Sequence, residues 1–117
     1  MHKYKELTVW KKAMDLVAEI YLETVTFPDK ERFNLISQIN RAAVSIPSNT
    51  AEGAGRNSDE EFRHSLSIAH GSSYKLETQL ILSHKLQYVE EDKSNELLAS
   101  IEEFQKMNYS LQSKFNV

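Results

Sequence analysis

Apolar residues recur at intervals of three and four through four successive segments of this chain, and nowhere do they alternate steadily with polar ones. At 3.6 residues per turn that spacing makes one side of each segment apolar, which predicts four amphipathic helices and no sheet. Only three Gly and two Pro interrupt 117 residues, so connections are few. Helices joined by short connections bury their apolar faces most easily as an antiparallel bundle. The sequence therefore reads as one all-α, up-and-down four-helix domain over residues 1–117.

The first segment runs from about Thr8 to Thr26, with Trp10, Ala13/Met14, Val17, Ile20/Tyr21 and Thr24 on one stripe. Thr8 reads as its N-cap, and Pro28 ends it by pushing the preceding residue out of the α region. The second reads from Asp29 to Gly53, with Leu35/Ile36, Ile39, Ala42/Ala43 and Ile46 inward. Pro47 falls inside it and crowds the carbonyl of Ala43, which predicts a kinked continuation. The glycines around Ala54 read as a left-handed helix end. Ser58-x-x-Glu61 matches a capping box and opens the third segment, 58–88, on Phe62, Leu66, Ala69, Ser73, Leu76, Leu80 and Ser83. Ser65, Ser67, Gly71, Ser72 and Ser73 make one side small, as in a close helix–helix groove. The fourth, 92–115, carries Leu97/Leu98, Ile101, Phe104, Asn108, Leu111 and Phe115.

Composition narrows the chemistry. With no Cys there is no disulfide, thiolate metal ligand or thiol nucleophile. The longest apolar runs, such as Ala42-Ala43-Val44, are far too short to span a bilayer. The residues from Met1 to Glu6 lead into an amphipathic helix and not into a signal-peptide core, so a soluble cytoplasmic protein with no membrane partner is expected. Net charge is −3, split as +1 over residues 1–57 and −4 over 58–117. A broad nucleic-acid grip needs a basic excess, because phosphate neutralisation supplies most of the affinity. What remains is a local patch: Lys3, Lys5, Lys11, Lys12 and Arg56, with Trp10 or Tyr4 as a stacking ring.

Catalytic patterns are not found. Glu61-x-x-His64 has the spacing of a di-metal carboxylate bundle, but no second such motif exists, and no metal or cofactor is expected. There is no Gly-x-Ser-x-Gly elbow, and the stretch from Glu52 to Arg56 lacks the Lys-Ser/Thr of a phosphate loop. The informative feature is polar. Gln38, Arg41, Ser45, Asn49 and Glu52 follow one another at three, four, four and three, beside the apolar stripe of the second helix. Two readings stand: a partly buried network of Arg41 with Glu52 and the amides that fixes helix register or a subunit contact, or a site where Arg41 holds a ligand or RNA phosphate.

Three strings carry a resemblance: Leu7-Thr8-Val9-Trp10-Lys11-Lys12-Ala13; then Phe27-Pro28; then Gln38-Ile39-Asn40-Arg41-Ala42-Ala43-Val44-Ser45-Ile46-Pro47-Ser48-Asn49-Thr50-Ala51-Glu52-Gly53. With Phe62, Ala69-His70-Gly71-Ser72 and Leu76-Glu77-Thr78-Gln79-Leu80 they resemble the proteins named after intervening sequences of 23S ribosomal RNA genes, over about residues 4 to 115. The resemblance implies a left-handed up-and-down bundle that assembles as a homopentamer. It also implies a relation to retroelement accessory variability determinants, whose basic pentamers bind nucleic acid and a reverse transcriptase. The motif falls on Arg41, Ser45, Asn49, Glu52 and Gly53. This chain departs from the family at Lys75, commonly acidic, which removes a partner for Arg41, and at Thr50, commonly aliphatic. Five copies would carry −15. The expectation is a non-catalytic, homo-oligomeric assembly or adaptor protein whose partners are its own copies and, as an adaptor, another protein; the alternative is an RNA- or DNA-binding accessory protein using the basic patch.

Overall fold

The four periodic segments fold as helices. A computed structural model describes residues 2–115, with α1 at Thr8–Thr24, α2 at Leu35–Ala54, α3 at Asp59–Lys85 and α4 at Glu91–Gln112. Short 3₁₀ turns precede α1 (Tyr4–Glu6) and α2 (Asp29–Glu31). Among the described residues there is no strand. α1 packs on α2, α2 on α3, α3 on α4 and α4 back on α1, with no diagonal contact, which is an up-and-down square. The longest dimension, 43 Å, is close to the length of 27-residue α3 at about 1.5 Å per residue.

Several boundaries differ from those the sequence suggests, each for a local reason. Leu7, not Thr8, is the first cap residue; its carbonyl takes the N–H groups of both Trp10 and Lys11 at 3.1 Å. α1 closes at Thr24, where the hydroxyls of Thr24 and Thr26 donate to the carbonyls of Tyr21 and Glu23. α2 starts at Leu35, not Asp29, because Asn34 (φ −117°, ψ −103°) leaves helical geometry. The 3₁₀ turn before it is held by the Tyr88 hydroxyl, which donates to Glu31 at 2.9 Å; the nearby carboxylate raises the phenol's pKa. No glycine adopts positive φ, so the left-handed helix end is not at Gly53 or Gly55. It is at Gln87 (φ 65°) after α3. Tyr88 N–H reaches back to the Ser83 carbonyl there, a Schellman closure that ends the helix at Lys85, not 88. Ser58 does cap α3, accepting from Glu61 N–H at 3.1 Å. α4 covers 91–112, and Phe115 lies beyond it.

α2 runs through Pro47 to Ala54 as one helix. Side-chain donors tie the turns on either side: Ser45 to the Ala42 carbonyl, Asn49 to Ser45 and Thr50 to Ile46.

The core is built from Ala13, Leu16 and Ile20 of α1, Ile39, Ala43 and Ile46 of α2, Ala69, Leu76 and Leu80 of α3, and Leu97, Ile101 and Phe104 of α4. Each fully buried large apolar side chain contributes about 1.5–3 kcal/mol. The α1 stripe is rotated from expectation: Val9 and Leu16 point inward, whereas Met14 and Tyr21 are exposed. A second cluster, Ala54, Phe62 and Leu66, is closed by Tyr4, Leu7, Leu111 and Phe115. His2 completes that end, with its N–H on the Ala54 carbonyl, its ring 4.7 Å from Phe62 and Nε2 3.2 Å from Asp59.

Candidate functional site

The polar line on α2 lies beside α3, along the outer edge of their seam. The Ser45 and Ser72 hydroxyls are hydrogen-bonded to each other, and Gly53 faces Ser65, so the two helices run antiparallel. A Cβ added at Gly53 would overlap Ser65 Cβ and come within 3.1 Å of Phe62 Cδ1. Gly53 is therefore required by the close approach of α2 to α3, not by backbone conformation. Of the small residues on α3, Ser65 and Ser73 are buried and Ser72 half-buried, whereas Ser67 and Gly71 face solvent.

Alongside the α2 line runs a second stripe on α3, Ile68, Ser72, Lys75, Gln79, Leu82 and Leu86, spaced at three and four. Ile68, Leu82 and Leu86 are each nearly half exposed. Gln79 is buried, and its Oε1 has no hydrogen-bond partner among the described residues. A buried amide oxygen left unpaired costs about 1–3 kcal/mol. At the α2–α3 corner a groove of about 630 Å³ is walled by Asn49, Glu52, Arg56, His64, Ser65 and Ile68.

The expected Arg41–Glu52 network does not form. Glu52 pairs instead with Arg56 at 2.6 Å, one turn on along the chain. Arg41 is exposed and makes no ion pair among the described residues, and neither does exposed Lys75 on α3. Gln38 is exposed too. The motif holds the seam at its centre through Ser45 and Asn49, and its two charged members do not pair with each other. Periodicity placed the α2 line correctly on one face. It missed the α3 stripe because Ile68, Leu82 and Leu86 stand off the inner heptad positions and were not counted.

The basic patch is divided. Lys3, Lys5 and Lys11 are exposed, whereas Lys12 bridges α1 to α4 through Glu103 at 3.1 Å and Arg56 is held by Glu52. Trp10 is half-buried with Tyr4 edge-on at 5.2 Å, so these rings pack on each other. No group of three or more His, Asp or Glu among the described residues could hold a metal ion, and no helix there is long and apolar enough to cross a membrane.

The family description "23S rRNA-intervening sequence protein" matches residues 5–110. The chain belongs to that family. A crystal structure of a protein with unknown function from the S23 ribosomal protein family of Bacteroides thetaiotaomicron is similar in fold, with a TM-score of 0.81 and 23% identity over 90% of this chain and 98% of that one. At that identity the likeness concerns the fold alone. No curated protein matches the chain. For this intervening-sequence protein the family match spans both stripes, from before α1 to near the end of α4.

Proposed function

We propose that the chain is a non-catalytic assembly protein whose copies close into a ring, seating the α2/α3 face of one on α1 of the next. The observation that carries this reading is the α3 stripe: three large apolar side chains in register beside a buried, unpaired Gln79 carbonyl. A neighbour's apolar atoms would cover Ile68, Leu82 and Leu86. A second apolar stripe, Met14, Ala18, Tyr21 and Val25, faces away from the core on α1. Two different faces joined head to tail generate a ring when the rotation closes. Five copies is the number the family resemblance implies.

The serine hydroxyls support a non-catalytic role, since those of Ser45, Ser73, Ser83 and Ser113 donate to backbone carbonyls within their own helices or helix ends. A nucleic-acid role would rest on Lys3, Lys5 and Lys11, because the other two basic side chains of the patch are paired. Sedimentation velocity at tens of micromolar, a concentration suited to an interface of ordinary size, tests the assembly. A single species of five protomer masses is expected; a monomer throughout contradicts it. Anisotropy with a labelled single-stranded RNA tests the other role: tight binding that falls steeply with salt would displace the assembly reading.

A further inference from the structure

The seam between α3 and α4 is built differently, and nothing in the assembly reading uses it. On its outer side lies a groove of about 470 Å³, lined by His70 and Tyr74 of α3 and by Glu102, Gln105, Lys106 and Tyr109 of α4. That volume falls within the usual range for small-ligand sites, about 300–1,000 Å³. Tyr74 and Tyr109 are 51% and 69% exposed, and the His70 ring meets Tyr74 edge-on at 5.4 Å.

Behind these rings the wall is polar and buried. Asn108 is fully buried; its Nδ2 donates to the Leu66 carbonyl at 2.9 Å and lies 3.1 Å from His70 Nδ1. An amide N–H₂ can only donate, so His70 Nδ1 accepts and the ring proton sits on Nε2. That Nε2–H has no partner among the described residues. Burial lowers the His70 pKa, which keeps the imidazole neutral. Gln105 donates from Nε2 to Ser73 Oγ at 3.2 Å, leaving its carbonyl oxygen as an acceptor. Asn108 Oδ1 is buried with no partner among the described residues. Leucine at position 108 would avoid that cost, so the amide's distinctive effect is to fix the histidine.

We propose that this groove binds a planar, uncharged heteroaromatic ring of nucleobase size. Tyr74 and Tyr109 supply faces for stacking, His70 Nε2–H donates to a ring acceptor, and the Gln105 carbonyl accepts from an exocyclic amine. Glu102 and Lys106 lie 3.5 Å apart and cancel in charge, which suits a neutral ligand.

The experiment is ligand-observed saturation-transfer NMR on the full chain, with adenosine and cytidine as probes and an oligoadenylate hexamer as a second arm. Transfer to the base protons of a nucleoside is expected, with affinity reduced about tenfold in Tyr109→Ala, the scale of one lost base–aromatic stack. Phe33→Ala, which removes an exposed ring between α1 and α2, leaves it unchanged. His70→Phe keeps the aromatic surface and loses the donor, so it weakens binding with the circular-dichroism melt unchanged. Asn108→Leu, a positioning change, also weakens binding and loosens the His70 tautomer, read from the imidazole nitrogen shifts by NMR. If the hexamer binds no tighter than adenosine, the natural source is a free small molecule; if it binds tighter and in a salt-sensitive way, the source is an unpaired base in a strand. No transfer from any probe at millimolar concentration overturns the proposal, and so does equal loss in Phe33→Ala and Tyr109→Ala.

Discussion

α3 has two seams, and they are made from opposite materials. Against α2 it is close and small: Gly53 faces Ser65, and Ser45 meets Ser72. Against α4 it is wider and amide-rich, with Asn108, Gln105, Ser73 and His70 hydrogen-bonded across the layer. The first seam depends on volume and the second on pairing of polar atoms. They should therefore fail under different substitutions.

The largest expected effect is at Gly53. Gly53→Ala inserts a methyl where Ser65 Cβ already stands, and overpacking of this kind costs about 1–3 kcal/mol. Chemical denaturation should show that loss, and adding Ser65→Gly should recover much of it; independent, additive losses would mean the two helices do not meet there.

A smaller effect belongs to the other seam and depends on pH. The His70 pKa is lowered by desolvation, so the unfolded chain binds the proton more readily than the folded one. Stability due to this group is full above the ordinary histidine value of 6.5 and is lost as pH falls through the lower folded value. In His70→Gln, whose amide oxygen can accept from Asn108, the acid-side slope of melting temperature against pH should flatten. An unchanged slope would place the acid sensitivity elsewhere.

Gly71 gives a gain. It sits mid-helix on α3, and a Cβ there meets nothing within 4 Å. Gly71→Ala should therefore stabilise by up to about 1 kcal/mol through helix propensity. Opposite signs at two helical glycines, 53 and 71, would confirm that only one lies in the close seam. The smallest effect is at Asn108→Leu. It removes one donor to the Leu66 carbonyl and one to His70 Nδ1, but it also removes an orphaned buried oxygen, so stability should stay within about 1 kcal/mol of wild type. A much larger loss would show that this seam depends on the amide for folding.

The close seam was legible in part. Ser65, Ser72 and Ser73 belong to the small-residue side of α3 that reads as a helix–helix groove, whereas Gly53 reads as a left-handed helix end and only the approach of Ser65 shows its role. Asn108 was also legible as inward, because it continues the stripe of Ile101 and Phe104. What it bonds to was not: Leu66 and His70 lie about 40 residues away in sequence, and periodicity carries no information about cross-helix pairing. Gln105 was missed because a polar residue beside Phe104 reads as surface until the neighbouring Ser73 is in place. Helix ends were misjudged at Thr24, where hydroxyls close the last turn, and at Gln87, where a backbone closure uses a positive-φ glutamine that has no sequence signature. The charged ends of the α2 line were misjudged for another reason. Glu52 has Arg56 at i+4 on its own helix end, and a local partner wins over Arg41 three turns away.

The central claim is that the α2/α3 face, with its stripe through Ile68 and Gln79, is where copies of this intervening-sequence protein meet. Native mass spectrometry of the wild-type chain beside Ile68→Glu tests it most directly, because it reads subunit number and any retained nucleic acid together. The account predicts five times the 13.5 kDa protomer for wild type, free of RNA, and monomer for Ile68→Glu with its helical spectrum intact. A wild-type monomer, or a five-chain mass that survives Ile68→Glu, would contradict it.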